Sequence, residues 1–134
     1  MDRRLRESVR DRSCRRCECC QVSEELDSLP FQSDHIIAEK HDGPTLSENL
    51  AWSCYNCNCY KGPSIGGIGA EKNIVARLFH PRTDDWYAHF AWNGGELVPK
   101  TEIGIATIHV LRINLLRRIN LRRELIAEGV FPPV

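Results

Sequence analysis

Seven cysteines stand in the chain, and five of them lie at spacings typical of metal ligands. Cys54 and Cys57 form one C-x-x-C pair, and an N-terminal cluster offers two overlapping pairs, Cys14/Cys17 and Cys17/Cys20. Two such pairs far apart in the sequence supply the four thiolates of a closed tetrahedral zinc site. We therefore expect a structural zinc ion. The residues alone leave the choice of N-terminal pair open, with Cys17 common to both.

Between the cysteine pairs lie residue types suited to phosphodiester hydrolysis. Asp34 and His35 are adjacent, Asn49 follows, and Asn58 comes directly after Cys57. A neutral imidazole can take a proton from water near neutral pH. Carboxylate and amide oxygens bind Mg²⁺ or Mn²⁺ and leave positions open for phosphate oxygens. A zinc clamp at both ends of this segment would bring the Asp-His pair close to Asn58.

These motifs resemble the HNH endonuclease family, and in particular its small bacterial members with four zinc-binding cysteines. The matching stretches are C-E-C-C-Q (17–21), D-H-I-I (34–37), K-H-D-G (40–43) and N-L-A-W-S-C-Y-N-C-N-C-Y-K-G-P (49–63). Two later stretches, at 78–90 and 101–108, resemble the end of the same subgroup, so the resemblance covers most of the chain. Its C-E-x-C pattern implies the zinc ligands Cys17, Cys20, Cys54 and Cys57. Cys14, Cys19 and Cys59 are then spare.

The resemblance also implies a role for each residue of the Asp-His-Asn-Asn set. His35 would be the general base, and Asp34 and Asn58 would hold a catalytic Mg²⁺ or Mn²⁺ ion. Asn49 would hydrogen-bond the backbone and hold the loop that orients His35. Two positions depart from the family pattern, because Asn58 stands where His is often found and Ala38 stands where Pro is usual. Asn is also common at the first position, and its amide oxygen is still a ligand.

Several other residues are weaker candidates. His41 and Lys61 fit the subgroup pattern and could support the site or contact phosphate. Arg82 could reach a phosphate oxygen, or it could pair with Asp84 or Asp85. His80 is weaker still. The remaining candidates are better explained as core residues than as ligands or base-stacking platforms: His89, Trp52, Trp86 and Trp92.

Charge is unevenly distributed, although the formal net charge is zero. Residues 1–16 carry seven arginines against three acids, and residues 18–50 carry eight acids against Lys40 alone. Residues 51–134 carry a small basic excess. An acidic centre between basic ends suits a site that holds a cation and receives a polyanion. Arginine runs also form ordinary solvated helix faces, so nucleic-acid contact by the N-terminal arginines is one of two interpretations.

The elements that must position these residues follow from local patterns. Residues 3–13 predict an Arg-rich helix, and residues 31–38 and 49–52 predict two extended segments. Residues 54–61 predict a short helix, which the following Gly-Pro ends. This order is that of a ββα-metal unit. Residues 64–70 are glycine-rich and follow no strand, so we expect a mobile loop there.

The C-terminal half predicts a β-hairpin and two helices. An aromatic strand at 86–92 and a returning strand at 96–98 flank an Asn-Gly-Gly turn signal. A first helix follows, and a second runs from about 114 to 128. Arg118 and Arg122 interrupt the apolar stripe of this second helix.

The length of 134 residues suits one α+β domain with a modest core. We place the ββα-metal core at about 14–63 and a C-terminal extension at about 64–134. No apolar run approaches the roughly 20 residues that span a bilayer, and the N-terminal residues lack the apolar segment of a signal peptide. We therefore expect a cytoplasmic protein without a membrane partner.

The sequence thus predicts a metal-dependent HNH endonuclease that hydrolyses DNA phosphodiester bonds. The resemblance implies products with 5′-phosphate and 3′-hydroxyl ends. RNA is a possible substrate that these residues do not distinguish from DNA. The alternative is a catalytically inactive, zinc-dependent module that binds nucleic acid or protein, and the presence of both Asp34 and His35 argues against it.

Overall fold

A computed structural model describes residues 1–133 of the chain. It is a mixed α+β structure with small antiparallel sheets, which confirms the predicted class. The elements in chain order are α1 (Arg3–Arg12), β1 (Gln32–His35), β2 (Leu50–Ser53), α2 (Tyr55–Lys61), β3 (Gly66–Ile68), β4 (Val75–Arg77), α3 (Trp86–His89), β5 (Phe90–Asn93), β6 (Glu96–Pro99), α4 (Glu102–Val110) and α5 (Leu116–Ala127).

A β-β-α unit follows the first cysteine pair, as predicted, and its helix begins at the second pair. Strand β1 pairs antiparallel with β2, so that Asp34 lies opposite Ala51 and His35 opposite Leu50. All four residues of β2 are buried, which explains why its sequence, LAWS, is almost wholly apolar. Helix α2 follows one residue later and ends at Gly62, whose φ of 49° belongs to the left-handed region.

Helix α1 packs against this unit through Val9, the partly buried Leu5 and two arginine side chains. Val9 is fully buried. The Arg12 guanidinium donates a 2.6 Å hydrogen bond to the carbonyl of Leu50, and Arg6 lies 5.2 Å from the ring centroid of Trp52. Part of the arginine run therefore holds the helix on the sheet.

The expectation of a loop at 64–70 was wrong. Residues 66–68 form β3, which pairs antiparallel with β4 and lies against α4. Glycine is required there because a Cβ at Gly67 would lie 2.5 Å from the Cγ2 atom of Val110. The glycine-rich composition thus reflects close packing on a helix.

The predicted strand at 86–92 is only half correct. Residues 86–89 form helix α3, and the strand begins at Phe90. The Asp85 carboxylate accepts a hydrogen bond from the Tyr87 backbone N–H and caps the helix. That cap outweighs the strand preference of the aromatic residues. The predicted hairpin turn joins β5 to β6, with Gly94 at a φ of 59°.

The C-terminal elements cover the N-terminal cysteine loop. The Trp86 indole donates a 2.9 Å hydrogen bond to the carbonyl of Cys19, and the Trp92 indole donates a 2.8 Å hydrogen bond to the Gln21 side chain. Phe131 packs against Trp92 with ring centroids 5.0 Å apart. The two halves of the chain therefore share one buried cluster of side chains. Within residues 1–133, no helix combines the length and apolarity needed to cross a membrane.

Replacing Trp86 by Phe tests this coupling. The variant loses part of a buried side chain and leaves the Cys19 carbonyl without its donor, so we expect a loss of about 2 kcal/mol in the free energy of unfolding. Urea denaturation followed by circular dichroism measures it. The control is Tyr87→Phe, which alters a neighbouring aromatic residue that is 59% exposed. Equal stabilities of the two variants would contradict the coupling.

Candidate functional site

The two C-x-x-C pairs meet in one buried cluster. The Sγ atoms of Cys17, Cys20, Cys54 and Cys57 all lie within 4.8 Å of one another, and all four residues are buried. Cys14 is exposed and lies outside the cluster. The structure thus brings together the quartet that includes Cys20, and it does not bring Cys14 to the same place.

The geometry of the cluster is consistent with a structural zinc ion. Zn–S bonds of about 2.3 Å in a tetrahedron place the sulfurs about 3.8 Å apart. The Sγ atoms of Cys20 and Cys54 are 3.8 Å apart. Cys54 also begins α2, because its Sγ accepts a 3.3 Å hydrogen bond from the backbone N–H of Cys57. Four sulfur ligands would leave no open position for chemistry at this ion.

The electrostatics of the cluster also favour a cation. Hydrogen bonds to the neighbouring sulfurs, together with burial, raise the pKa of the Cys57 thiol well above its ordinary value. The opposite holds for Cys20, where hydrogen bonds from Cys17, Cys54 and Cys57 lower the pKa of the thiol. A bound divalent cation would allow all four to be thiolates.

Asp34, His35 and Asn58 line one open cleft at the junction of β1 and α2. The exposed residues Glu39 and Lys40 form another side of the cleft, and the Gly62-Pro63 turn closes its end. The sequence placed the three residues together because of the cysteine clamp, and the structure has them in that arrangement.

The imidazole of His35 is held from one side only. Its Nε2 atom lies 2.9 Å from the Thr45 hydroxyl and 3.5 Å from a carboxylate oxygen of Glu39. Among residues 1–133, no hydrogen bond engages Nδ1. A donor proton on Nε2 would leave Nδ1 as the acceptor nitrogen. Sequence reasoning missed Thr45, because nothing local marks a threonine ten residues after the histidine as its partner.

Asn49 ties the ends of the loop that carries Thr45. Its amide oxygen accepts a 2.9 Å hydrogen bond from the Ile37 N–H. Its amide nitrogen donates to the carbonyls of Ile37 and Pro44, at 2.9 and 2.8 Å. The side chain is 5% exposed, so these bonds are shielded from water. Asn49 therefore fixes the loop between β1 and β2 beside His35.

The Asp34 carboxylate is largely buried and has a cationic partner. Lys61 Nζ lies 3.1 Å from Oδ2 of Asp34 and donates a 2.9 Å hydrogen bond to the carbonyl of His35. Burial raises the pKa of the Asp34 carboxyl, and the Lys61 charge opposes this shift. Lys61 is itself buried. Of its two proposed roles, the geometry favours support of the site over contact with phosphate.

The side-chain amide of Asn58 is oriented by a residue that sequence reasoning missed. Its nitrogen donates a 3.2 Å hydrogen bond to the side-chain oxygen of Gln32. Gln32 and Asp34 are two residues apart on β1, so they share one face of the strand. The bond assigns the nitrogen to Gln32, and the amide oxygen is then available as a ligand. Asp34 and Asn58 thus offer the hard oxygen donors that Mg²⁺ or Mn²⁺ prefers.

The weaker candidates have other partners. Arg82 pairs with Glu18, and its side chain is 15% exposed. It therefore neither pairs with Asp84 nor presents a free guanidinium group to phosphate. Asp84 is paired with Arg77 instead, at 2.7 Å. This ion pair and its hydrogen bonds lower the pKa of the Asp84 carboxyl to about 2. His41 is exposed and is not one of the residues that line the cleft.

Two histidines and one N-terminal arginine also have structural partners. His89 lies 2.6 Å from the Thr101 hydroxyl. The Nδ1 atom of His80 accepts a hydrogen bond from the Arg82 backbone N–H. Arg10 donates a 2.8 Å hydrogen bond to Glu24, so it is less available to a polyanion than the exposed arginines of α1.

Comparison with known families gives one match. Residues 14–64 match the family model described as HNH endonuclease. The matched segment includes the four clustered cysteines and every residue that the sequence placed at the cleft. Neither the curated proteins nor the solved structures contain a match to the chain.

Substitution of Asn49 tests the support of the loop. Asn49→Ala removes three part-buried hydrogen bonds to the backbone of Ile37 and Pro44, and we expect a loss of about 3 kcal/mol in the free energy of unfolding. The control Asn58→Ala removes one exposed hydrogen bond and is expected to cost less than about 1 kcal/mol. Chemical denaturation of the metal-loaded proteins gives both values. A loss at Asn58 as large as that at Asn49 would contradict the division between loop support and ligand.

Proposed function

Because residues 14–64 match the HNH endonuclease family, we propose that this protein is a metal-dependent endonuclease that hydrolyses phosphodiester bonds of DNA. The observation that carries the proposal is the shared cleft of Asp34, His35 and Asn58. A base and two oxygen donors for a metal ion would meet the same phosphate there. The four-cysteine cluster supports the proposal because it fixes both ends of the segment that forms the cleft.

His35 is the general base in this proposal. A proton passes from water to Nδ1 of His35, the water oxygen bonds to phosphorus, and the P–O3′ bond breaks. The departing 3′ oxygen takes a proton from solvent, and His35 later returns its own proton to solvent. The products are a 5′-phosphate and a 3′-hydroxyl. Thr45, on the loop that Asn49 holds, contacts Nε2 and so would leave Nδ1 free to accept the proton.

Asp34 and Asn58 would hold a Mg²⁺ or Mn²⁺ ion. When bound, such an ion supplies Lewis-acid stabilisation of the charge that develops on the phosphate and the leaving oxygen. Lys61 holds one oxygen of Asp34 and the carbonyl of His35, so it fixes the two residues relative to α2. The second carboxylate oxygen of Asp34 would then be available to a cation.

The substrate class follows from the HNH family, whose members act on nucleic acid. Lys40 lines the cleft and is exposed, and a lysine there can contact the backbone on either side of the cleaved bond. Such contacts recognise phosphate and not sequence, so we propose cleavage with little base specificity. Binding without cleavage, as in a nucleic-acid-binding module, is the competing outcome of the experiment below.

We further propose that the cysteine cluster holds structural zinc. The purified protein should contain about one zinc ion per chain. Cys17→Ser should lose the metal and the folded structure, because thiolate–zinc bonds supply much of the folding free energy of a small domain. Cys14→Ser should keep both, because Cys14 is exposed. Elemental analysis and circular dichroism measure these outcomes. Zinc lost with Cys14→Ser and kept with Cys20→Ser would refute the assignment.

His35→Ala should abolish cleavage while zinc content, folding and DNA affinity stay near wild type. The loss of a positioned general base lowers the rate by about 10²–10⁴-fold. Thr45→Val removes only the hydrogen bond to Nε2 of His35. Its cleavage rate should therefore lie between those of the wild type and His35→Ala. Plasmid digestion in Mg²⁺ and in Mn²⁺, with EDTA as the metal-free sample, measures the rates.

The control for this experiment is His109→Ala, an exposed histidine on α4 outside the cleft, and it should cut at the wild-type rate. If His35→Ala cuts as fast as wild type, the mechanism is wrong. If the wild-type protein binds DNA and never cuts it in any divalent metal, the binding-module function replaces the nuclease.

A further inference from the structure

Two arginines of α5 lie in the protein interior beside the cysteine cluster. Arg118 is 7% exposed and Arg122 is fully buried. One turn separates them, so they share one face of the helix. A guanidinium group is almost never buried without a negative partner. The contacts of these two guanidinium groups therefore indicate the role of this face of the helix.

Arg118 contacts both a carboxylate and the sulfur cluster. Its guanidinium donates 3.0 and 3.2 Å hydrogen bonds to the two carboxylate oxygens of Asp27. Its Nη2 group also lies 3.7 Å from Sγ of Cys54 and 4.0 Å from Sγ of Cys20. These distances suit weak N–H···S hydrogen bonds. Arg118 thus bridges an acidic side chain and two members of the cluster, one from each C-x-x-C pair.

Arg122 has only neutral hydrogen-bond partners among residues 1–133. It donates to the carbonyls of Gly95 and Ile113 and to the Asn114 side chain. Its Nη1 atom is buried without a partner, and no carboxylate forms a salt bridge with it in that part of the chain. The buried arginines therefore carry more positive charge than Asp27 offsets.

We infer that Arg118, together with Arg122 one turn further along α5, supplies the positive charge that balances a zinc tetrathiolate. Helix α5 is then a functional part of the metal site. Four thiolates around Zn²⁺ have a net charge of about −2, which is costly in a buried place without compensation. Arg118 positions and stabilises the sulfurs through charge and N–H···S bonds. The inference rests on the zinc proposed above and is independent of nuclease activity.

Groups that hydrogen-bond metal ligands typically affect metal affinity by about 10–100-fold. We therefore expect Arg118→Gln to lower zinc affinity by about that factor in competition with a chromogenic chelator. Loss of the N–H···S bonds should also shift the sulfur-to-cobalt charge-transfer band of the Co²⁺-substituted protein to longer wavelength. The control is Arg123→Gln, an exposed arginine of the same helix, which should change neither quantity.

Asp27→Asn separates the metal role from a purely structural ion pair. It removes the partner of Arg118 and keeps the guanidinium beside the sulfurs, so the cobalt band should stay and zinc affinity should change little. Arg118→Gln with Asp27→Asn leaves no unpaired buried carboxylate, and it carries the test if Arg118→Gln alone does not fold. It should show the loss of affinity and the shifted band.

The outcomes separate this inference from the proposed function. An unchanged band and affinity in the double variant would overturn the inference, and so would equal losses of affinity in Asp27→Asn and Arg118→Gln. A wild-type protein that binds neither Zn²⁺ nor Co²⁺ would refute the zinc site itself. A wild-type protein that binds both metals and cuts no DNA would refute the nuclease and leave the role of Arg118 standing.

Discussion

The meeting of four sulfurs from two distant parts of the chain is the constraint on which the rest of the structure depends. Cys17 and Cys20 lie in the loop before β1, and Cys54 and Cys57 lie at the start of α2. Everything between them must fold back on itself, which gives the antiparallel pair β1–β2 and directs α2 across its end. The cleft is a consequence of this closure, because Asp34 lies on β1 within the closed segment and Asn58 directly follows its last cysteine.

The central unit could be predicted from the sequence because its signals are local and strong. Cysteine spacing, an Asp-His pair and a Gly-Pro stop define the order of β1, β2 and α2 without knowledge of tertiary contacts. The outcome was different at residues 64–70 and 86–89. There, packing against α4 and a capping carboxylate at Asp85 decided the structure, and neither effect can be seen in a pattern of apolar residues.

The supporting residues of the site were hidden for a related reason. Three of them are ordinary polar residues in loops or at a strand end: Thr45, Gln32 and Asp27. Their roles can be recognised only from the contacts that the fold creates. Arg118 and Arg122 are the clearest case. On the helical pattern they interrupt an apolar stripe, whereas in the structure they face the interior, where Arg118 contacts the sulfur cluster. A charge on the buried face of a helix is thus a signal in itself, provided that a cluster of anionic ligands is also expected.

The cover that the C-terminal half provides has a consequence for synthesis. Trp86 and Arg118 contact the cysteine loop and the cluster, yet they are translated well after Cys57. A chain that emerges from the ribosome therefore presents its sulfurs to solvent before the groups that shield and neutralise them exist. During that interval the thiols are open to oxidants, and the late arrival of α5 ends it.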